Sequence, residues 1–317
     1  MSGQKAVKRA SEVAAAGAHN ILYIGPPGSG KTMAAQRLIT ILPEMTQEES
    51  MKTTTIYSVT GILEKYEPLI TNPPFREVHH TITKAALVGG GLYPVPGEIS
   101  LVNGGVLFLD ELSEFRKEVL EALREPLERK EVRINRRSGI YLFPAKVILA
   151  AAMNPCPCGN YPDIEKCTCT PGEIHRYLGK ISRPFLDRID ICIEAPKVTY
   201  RELNVSKKEE TSAEIRSRVV LAREVQKERF KGTKISTNSE MEKMDLEKYC
   251  ILGTREKRML ELAFDKLDLT ARSYHKILRV ARTVADLEGA DRIKMEHVAE
   301  ALSYRTVNQK MWGNQKR

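Results

Sequence analysis

The stretch Gly25-Pro26-Pro27-Gly28-Ser29-Gly30-Lys31-Thr32 constrains this chain more than any other. It fits G-x-x-x-x-G-K-[S/T], and its flanks carry as much information as its own residues. The apolar run Ile21-Leu22-Tyr23-Ile24 before it reads as a buried strand. The stretch Met33-Ala34-Ala35-Gln36-Arg37-Leu38 after it reads as the start of a helix. Strand, glycine loop and helix together aim backbone N–H groups and a helix N-terminus at phosphate oxygens. Lys31 is expected to neutralise the β- and γ-phosphates, and the Thr32 hydroxyl to help hold Mg²⁺. A chance match in a Gly/Pro loop would not need both flanks. The motif therefore predicts binding of a nucleoside triphosphate.

The rest of the sheet is sought in similar apolar runs. Thr54–Val59, Val106–Leu109, Val147–Ala152 and Ile189–Glu194 join Ile21–Ile24 as five expected strands. Stretches of helical period separate several of them, which predicts an α/β fold of parallel strands with helical crossovers. Past Pro196 the pattern changes, and Tyr200–Ser212 is polar and charged, as in a linker. From Ala213 the periods are helical. Ile215, Val219, Ala222, Gln226 and Phe230 share one face, and Thr270 is placed to cap a helix that buries Tyr274, Ile277, Leu278, Ala281 and Ala285. A last helix is expected over Met295–Tyr304. These readings divide the chain into a nucleotide-binding core (1–198), a linker (199–212), a helical domain (213–307) and a tail (308–317).

Two carboxylates end the run Val106-Leu107-Phe108-Leu109-Asp110-Glu111. After a phosphate loop, the first supports Mg²⁺ and the second polarises the attacking water. Those roles fall to Asp110 and Glu111, against the plainer reading of an acidic pair at a helix start. Asn154, at the end of the next buried run, is a candidate to orient the water or touch the γ-phosphate; the alternative is a turn former before Pro155. Arg183 and Arg188 precede the last strand. An arginine supplied to a neighbouring nucleotide would stabilise the transferring phosphoryl group. The alternative for Arg188 is a surface pair with Asp187 or Asp190.

Between the second and third of these motifs, Val132 and Ile134 alternate with charged residues, Arg136–Gly139 has turn character, and the return stretch to Phe143 is apolar. That pattern predicts a β-hairpin bearing Arg133, Arg136 and Arg137. Such cations suit phosphates of a nucleic acid, with a solvated basic hairpin or a subunit contact as alternatives. A second hairpin is expected near Val88–Pro96 around Gly89-Gly90-Gly91. A net charge of +9 and a pI near 9.2 favour an acidic partner, although a merely soluble basic protein has the same excess. No apolar run reaches membrane-spanning length and no signal-peptide layout opens the chain, so the expected location is the cytosol. Cys156, Cys158, Cys167 and Cys169 form two Cys-x-Cys pairs, which could hold a structural Zn²⁺ or remain free thiols. Cys192 and Cys250 read as buried or incidental. His79-His80 has no partner cluster nearby and is expected at a packed or interface position.

Taken together, the sequence resembles the AAA+ ATPases of the magnesium-chelatase-like group, in the ComM branch. The likeness runs nearly end to end: Gly3-Gln4, GPPGSGKT, Pro74-Phe75-Arg76 to His79-His80-Thr81, Pro96-Gly97-Glu98-Ile99-Ser100-Leu101, Gly104-Gly105-Val106 to Leu112, Asn154-Pro155-Cys156-Pro157-Cys158-Gly159, Leu186-Asp187-Arg188-Ile189-Asp190, and Ala271-Arg272-Ser273-Tyr274-His275 to Asp286-Leu287. The resemblance implies a P-loop AAA+ core followed by a helical lid, assembled as a ring, a hexamer, with ATP and Mg²⁺ between subunits. Lys31, Thr32, Asp110, Glu111 and Asn154 would act from one side. Arg188 matches the family's arginine finger from the adjacent subunit. Arg272 matches its second sensor arginine, and Arg279 lies further along the same helix. The hairpin would project toward the ring's channel. ComM-like proteins are described as helicases that drive branch migration of recombining DNA, and they carry an N-terminal domain similar to the Lon protease domain ahead of the region matched here. The chelatase side of the group implies an alternative: an ATPase subunit that remodels a protein complex for metal insertion into a tetrapyrrole. A nucleotide-binding scaffold without turnover is a third class, which Glu111 and Arg188 argue against.

Overall fold

The computed structural model describes residues 3–63, 69–163, 165–197, 210–267 and 269–313. Nine strands occur in chain order among them: β1 (Ile21–Ile24), β2 (Phe75–Val78), β3 (Gly89–Gly90), β4 (Val95–Pro96), β5 (Val106–Leu109), β6 (Glu131–Arg136), β7 (Gly139–Pro144), β8 (Ile148–Met153) and β9 (Ile191–Glu194). Five of them form a parallel sheet in the order β2-β5-β8-β1-β9. In β1, β5 and β8 every residue is buried, which explains their unbroken apolar runs, since helices cover both faces of a parallel sheet. The other four strands pair as two antiparallel hairpins, β3–β4 and β6–β7, as the turn signals predict.

One expected strand is a helix. Thr54–Val59 lies inside the helix Gln47–Thr60. Its β-branched residues suggested a strand, but a capping box between Thr46 and Glu49 starts the helix, and Ser50, Thr53 and Ile56 repeat every three residues on its buried side. The threonines satisfy their hydroxyls within the helix: Thr54 and Thr55 donate to the carbonyls of Ser50 and Met51, both at 2.8 Å. The fifth strand is instead β2, at the edge beside β5. Its Phe-Arg-Glu-Val composition hides it, because Glu77 is exposed and the half-buried Arg76 is tied to Glu98.

Within the helical region, the stripe Ile215, Val219, Ala222, Gln226 and Phe230 is buried along the helix Ser212–Arg229 and just past its end. Gln226 belongs there because both ends of its amide are used: Nε2 donates to Ala16 O at 3.0 Å and Oε1 accepts from Asn238 N at 2.9 Å. This helix and Ala271–Leu287 pack on the N-terminal helix Lys5–Gly17 and share one apolar cluster with Ile21 and Tyr23 of β1. Thr270 caps Ala271–Leu287 as expected, accepting from Ser273 N. The last helix runs from Met295 to Trp312, well beyond Tyr304. Residues 308–312 therefore belong to that helix and not to a tail: Met311 and Trp312 are buried against the core, and Trp312 Nε1 donates to Leu178 O at 3.1 Å, while residues 314–317 lie outside the described residues. Of the expected linker, residues 199–209 lie outside the described residues.

Candidate nucleotide site

The phosphate loop leaves the carboxyl end of β1, held by Gly25 N donating to Met153 O at 3.2 Å. Gly28 and Gly30 adopt left-handed backbone angles (φ 74° and 80°), and the helix Lys31–Leu38 starts immediately after. Lys31 is nearly buried. Its Nζ donates to Gly25 O (2.7 Å), Pro26 O (2.9 Å) and Asn154 Oδ1 (3.1 Å). Burial pushes its pKa down, opposed by the Asp110 charge, so an incoming phosphate would add the anion that this ammonium lacks. Thr32 Oγ1 donates to Asp110 Oδ2 at 2.7 Å, and Asp110 Oδ1 accepts from Glu111 N at 2.8 Å. A hydroxyl and a carboxylate meeting beside the loop are the hard oxygen donors that Mg²⁺ takes together with phosphate oxygens. The residues present thus fit a Mg²⁺–nucleotide.

Pro27, Gly28, Lys31, Thr32, Asp110, Glu111 and Asn154 line one cleft of about 620 Å³ at the carboxyl ends of the strands. A larger cavity of about 890 Å³ lies at the opposite end of the sheet, between Leu42–Thr46 and the helix Ser212–Arg229, and none of the candidate site residues lines it. Glu111 has a left-handed backbone (φ 50°) and an exposed carboxylate. His80 stands beside it, Nδ1 to Oε2 at 3.8 Å, with its ring against His79 and Phe115. The histidine pair, expected at a packed or interface position, thus lies at the site, because β2 and β5 are neighbours. Sequence spacing offered no signal for that. Gln4 carried no assigned role beyond its place in the resemblance. Its Nε2 donates to Ser29 O (2.5 Å) and Pro196 O (2.9 Å), clasping the phosphate loop to the end of β9.

The arginines expected as finger and second sensor lie elsewhere. Arg188 and Arg272 share a second cleft of about 530 Å³ with Lys276 and Arg279. Arg188 lies three residues before β9, and its carbonyl accepts from Asn20 Nδ2 at 2.8 Å beside the start of β1, at the amino ends of the strands. A four-residue strand spans about 13 Å, so Arg188 and the phosphate loop occupy opposite ends of the sheet. Arg188 pairs with Glu128 at 2.5 Å, and not with Asp187 or Asp190. Asp190 is buried and accepts from Asn20 N at 3.0 Å beside His19 and Lys276; burial raises its pKa, but the Lys276 ammonium and the neighbouring His19 outweigh that and hold the carboxyl far below the usual range. Arg279 donates to Met241 O at 2.7 Å, and Arg183 is exposed at the start of the short helix Arg183–Leu186.

The four clustered thiols come together. Their sulfurs lie within 4.8 Å of one another, with Cys156–Cys158, Cys158–Cys167 and Cys156–Cys167 at 3.4, 3.6 and 3.8 Å. A tetrahedral Zn²⁺ with ~2.3 Å bonds sets its sulfurs about 3.8 Å apart. Backbone N–H groups of Tyr161 and Cys158 point at Cys156 and Cys169 sulfurs, both at 3.4 Å. The Asn160 backbone is the main cause that draws the Cys158 thiol down to about 5. This donor set fits Zn²⁺. Cys192 and Cys250 are buried and apart.

The two hairpins touch: Arg136 Nε donates to Gly91 O at 3.2 Å. Arg133, Arg136 and Arg137 are exposed, and so are Leu92 (85%) and Tyr93 (83%) at the β3–β4 tip. No helix among the described residues is long and apolar enough to cross a membrane.

Residues 1–203 match the family described as magnesium chelatase, subunit ChlI, and residues 209–305 match the ChlI C-terminal family. The chain is 47% identical over 309 residues to the competence protein ComM of Haemophilus influenzae, covering 96% of this chain and 59% of that protein. It is 43% and 41% identical over 307 residues to the YifB proteins of Salmonella typhimurium and Escherichia coli, again covering 96% of this chain and 60% of each. The chain thus spans about three fifths of the length of these curated relatives.

Proposed function

The chain belongs to the magnesium chelatase ChlI family of AAA+ ATPases, in its ComM branch, and from that premise we propose that it is a ring-forming, ATP-hydrolysing motor that acts on DNA. The observation that carries this reading is the division of the hydrolytic residues between two clefts at opposite ends of one sheet. Lys31, Thr32, Asp110, Glu111 and Asn154 make a site that lacks an arginine finger. Arg188 and Arg272 make a cationic surface that lacks a phosphate loop. A head-to-tail ring, hexameric in this reading, unites the two at every interface. There Lys31 would bind the β- and γ-phosphates, and Thr32 and Asp110 would hold a Mg²⁺, which would shield their charge. Glu111 takes the proton of the attacking water, Asn154 orients that water, and Arg188 of the neighbouring subunit stabilises the leaving charge.

DNA as the partner is supported by the exposed Arg133, Arg136 and Arg137 on one hairpin, of which Arg136 meets the neighbouring hairpin that exposes Tyr93, residue types suited to phosphates and bases without sequence preference. The Haemophilus relative is a competence protein, and branch migration during recombination or natural transformation is the DNA task assigned to the motor in this reading. The four cysteines are proposed to hold a structural Zn²⁺.

The test is steady-state ATPase activity at low and moderate salt, with no DNA, single-stranded DNA and a four-way junction, for wild type and Glu111→Gln. Salt-sensitive stimulation by DNA that vanishes in the variant is the expected result. Turnover indifferent to every DNA would instead assign the chain to the chelatase-type remodelling of a protein complex.

A further inference from the structure

The helix Pro171–Leu178 has no part in the reading above, yet it forms one wall of the nucleotide cleft. Glu173, Arg176 and Tyr177 lie at i, i+3 and i+4 on one face of this helix, Lys180 follows just past its end, and all four line the cleft that holds Lys31, Thr32, Asp110 and Asn154. Three have other work. Glu173 caps its own helix, accepting from Thr170 N (2.8 Å) and Thr170 Oγ1 (2.9 Å). Tyr177 is buried, and its Oη accepts from Ser113 Oγ at 2.8 Å. Lys180 pairs with Glu114 at 3.2 Å. Arg176 is exposed in the cleft. Its charge is felt at Glu173, but among the described residues it has no ion pair or hydrogen bond.

The cysteine knot builds this wall. Cys169 directly precedes the helix cap Thr170, so the last thiol fixes where the helix begins. Pro157, between the first two thiols, lines the cleft itself. Gly159 sits on the phosphate loop so closely that an added Cβ would lie 2.4 Å from Pro27 Cδ. One knot therefore touches the loop that holds Lys31 and anchors the helix that carries Arg176. We propose that Arg176 is a cation for the terminal phosphate, supplied by the same subunit as Lys31, and that the metal-filled cysteine knot holds it in register with the phosphate loop. The proposal rests on the reading of this cleft as an ATP site.

Discrimination between triphosphate and diphosphate tests it, because only the terminal phosphate separates them. Fluorescent ATP and ADP analogues would be titrated into the full chain carrying Glu111→Gln, which prevents turnover. Adding Arg176→Ala is expected to weaken ATP binding tenfold or more, as for a lost charge-assisted hydrogen bond, with ADP binding within about twofold. Arg176→Lys should recover part of the loss. Equal losses for both nucleotides, or none, would overturn the assignment of Arg176. If the parent protein bound neither nucleotide, the ATP reading would fail first.

For the knot, zinc released by a mercurial would be quantified in wild type and Cys169→Ser. One zinc per chain is expected in wild type, and its loss should remove the preference for ATP over ADP with no further effect of Arg176→Ala. Chelator-stripped wild type serves as a second route, should the cysteine variant fail to fold. Absence of zinc, or zinc-free protein that retains its ATP preference, would overturn this half of the proposal.

Discussion

Two glycines of the phosphate loop should respond differently to the same change. Gly25 follows β1, and a Cβ there would lie 2.1 Å from Ala195 O. A carbon needs about 3.3 Å from a carbonyl oxygen, so Ala195 would have to retreat by about 1 Å. That retreat is opposed by Ala195 N–H, which donates to Ile24 O at 2.7 Å, and by the pairing of Ile24 with Glu194. Overpacking of this kind costs about 1–3 kcal/mol, and a buried backbone hydrogen bond lost with it about 1–3 kcal/mol more. Gly25→Ala should therefore lower the unfolding free energy by about 3 kcal/mol. Gly28 has nothing within 4 Å of an added Cβ, and only its φ of +74° resists alanine, which costs about 1–2 kcal/mol. Its place in the cleft, however, is where phosphates would sit. Gly28→Ala should thus remain folded and lose nucleotide affinity, whereas Gly25→Ala loses stability first. The single tryptophan, Trp312, is buried against the core and reports urea unfolding by its fluorescence; nucleotide titration gives the second axis. A Gly25→Ala protein within 1 kcal/mol of wild type, or less affected than Gly28→Ala, would refute the reasoning.

Other expectations follow from particular contacts. Asp286 is fully buried and accepts from Arg229, Arg282 and Asn238. Asp286→Ala strands two guanidinium groups and should cost about 3–5 kcal/mol in urea unfolding. Burial pushes the Cys250 thiol up to about 12 from 9.0. Between those values the folded chain keeps a proton that the unfolded chain has lost, so stability falls as pH rises through that window. The stability gap between wild type and Cys250→Ala should accordingly narrow from pH 9 upward. Replacing Arg133, Arg136 and Arg137 together with alanine should leave DNA-free ATPase activity within twofold of wild type. If each meets a phosphate, the slope of log affinity for single-stranded DNA against log salt should fall by about 0.7 per arginine.

Much of the site was legible because its chemistry is local. A phosphate loop works through consecutive backbone groups, so strand, loop, Lys31 and Thr32 are written next to each other. Asp110 and Asn154 stand out because each ends an apolar run, and parallel strands bring their carboxyl ends to one edge. The hairpins were legible for the same reason, as glycine turns between alternating residues. Thr54–Val59 misled because β-branched residues favour strands only where a sheet neighbour is available, and this segment's neighbours make it a helix. The edge strand Phe75–Val78 escaped because a strand with an exposed face needs no apolar run.

The sequence by itself thus determined the phosphate loop, the two carboxylates, the parallel core and the helical region after it. Only the tertiary structure decided what lies far apart in the chain: His80 beside Glu111, Gln4 on the phosphate loop, Arg176 in the cleft, and four thiols at metal-binding distance. It also parted Arg188 and Arg272 from Lys31, setting them at the other end of the sheet. The physical reason is that strand pairing and helix packing, not sequence spacing, set which side chains meet.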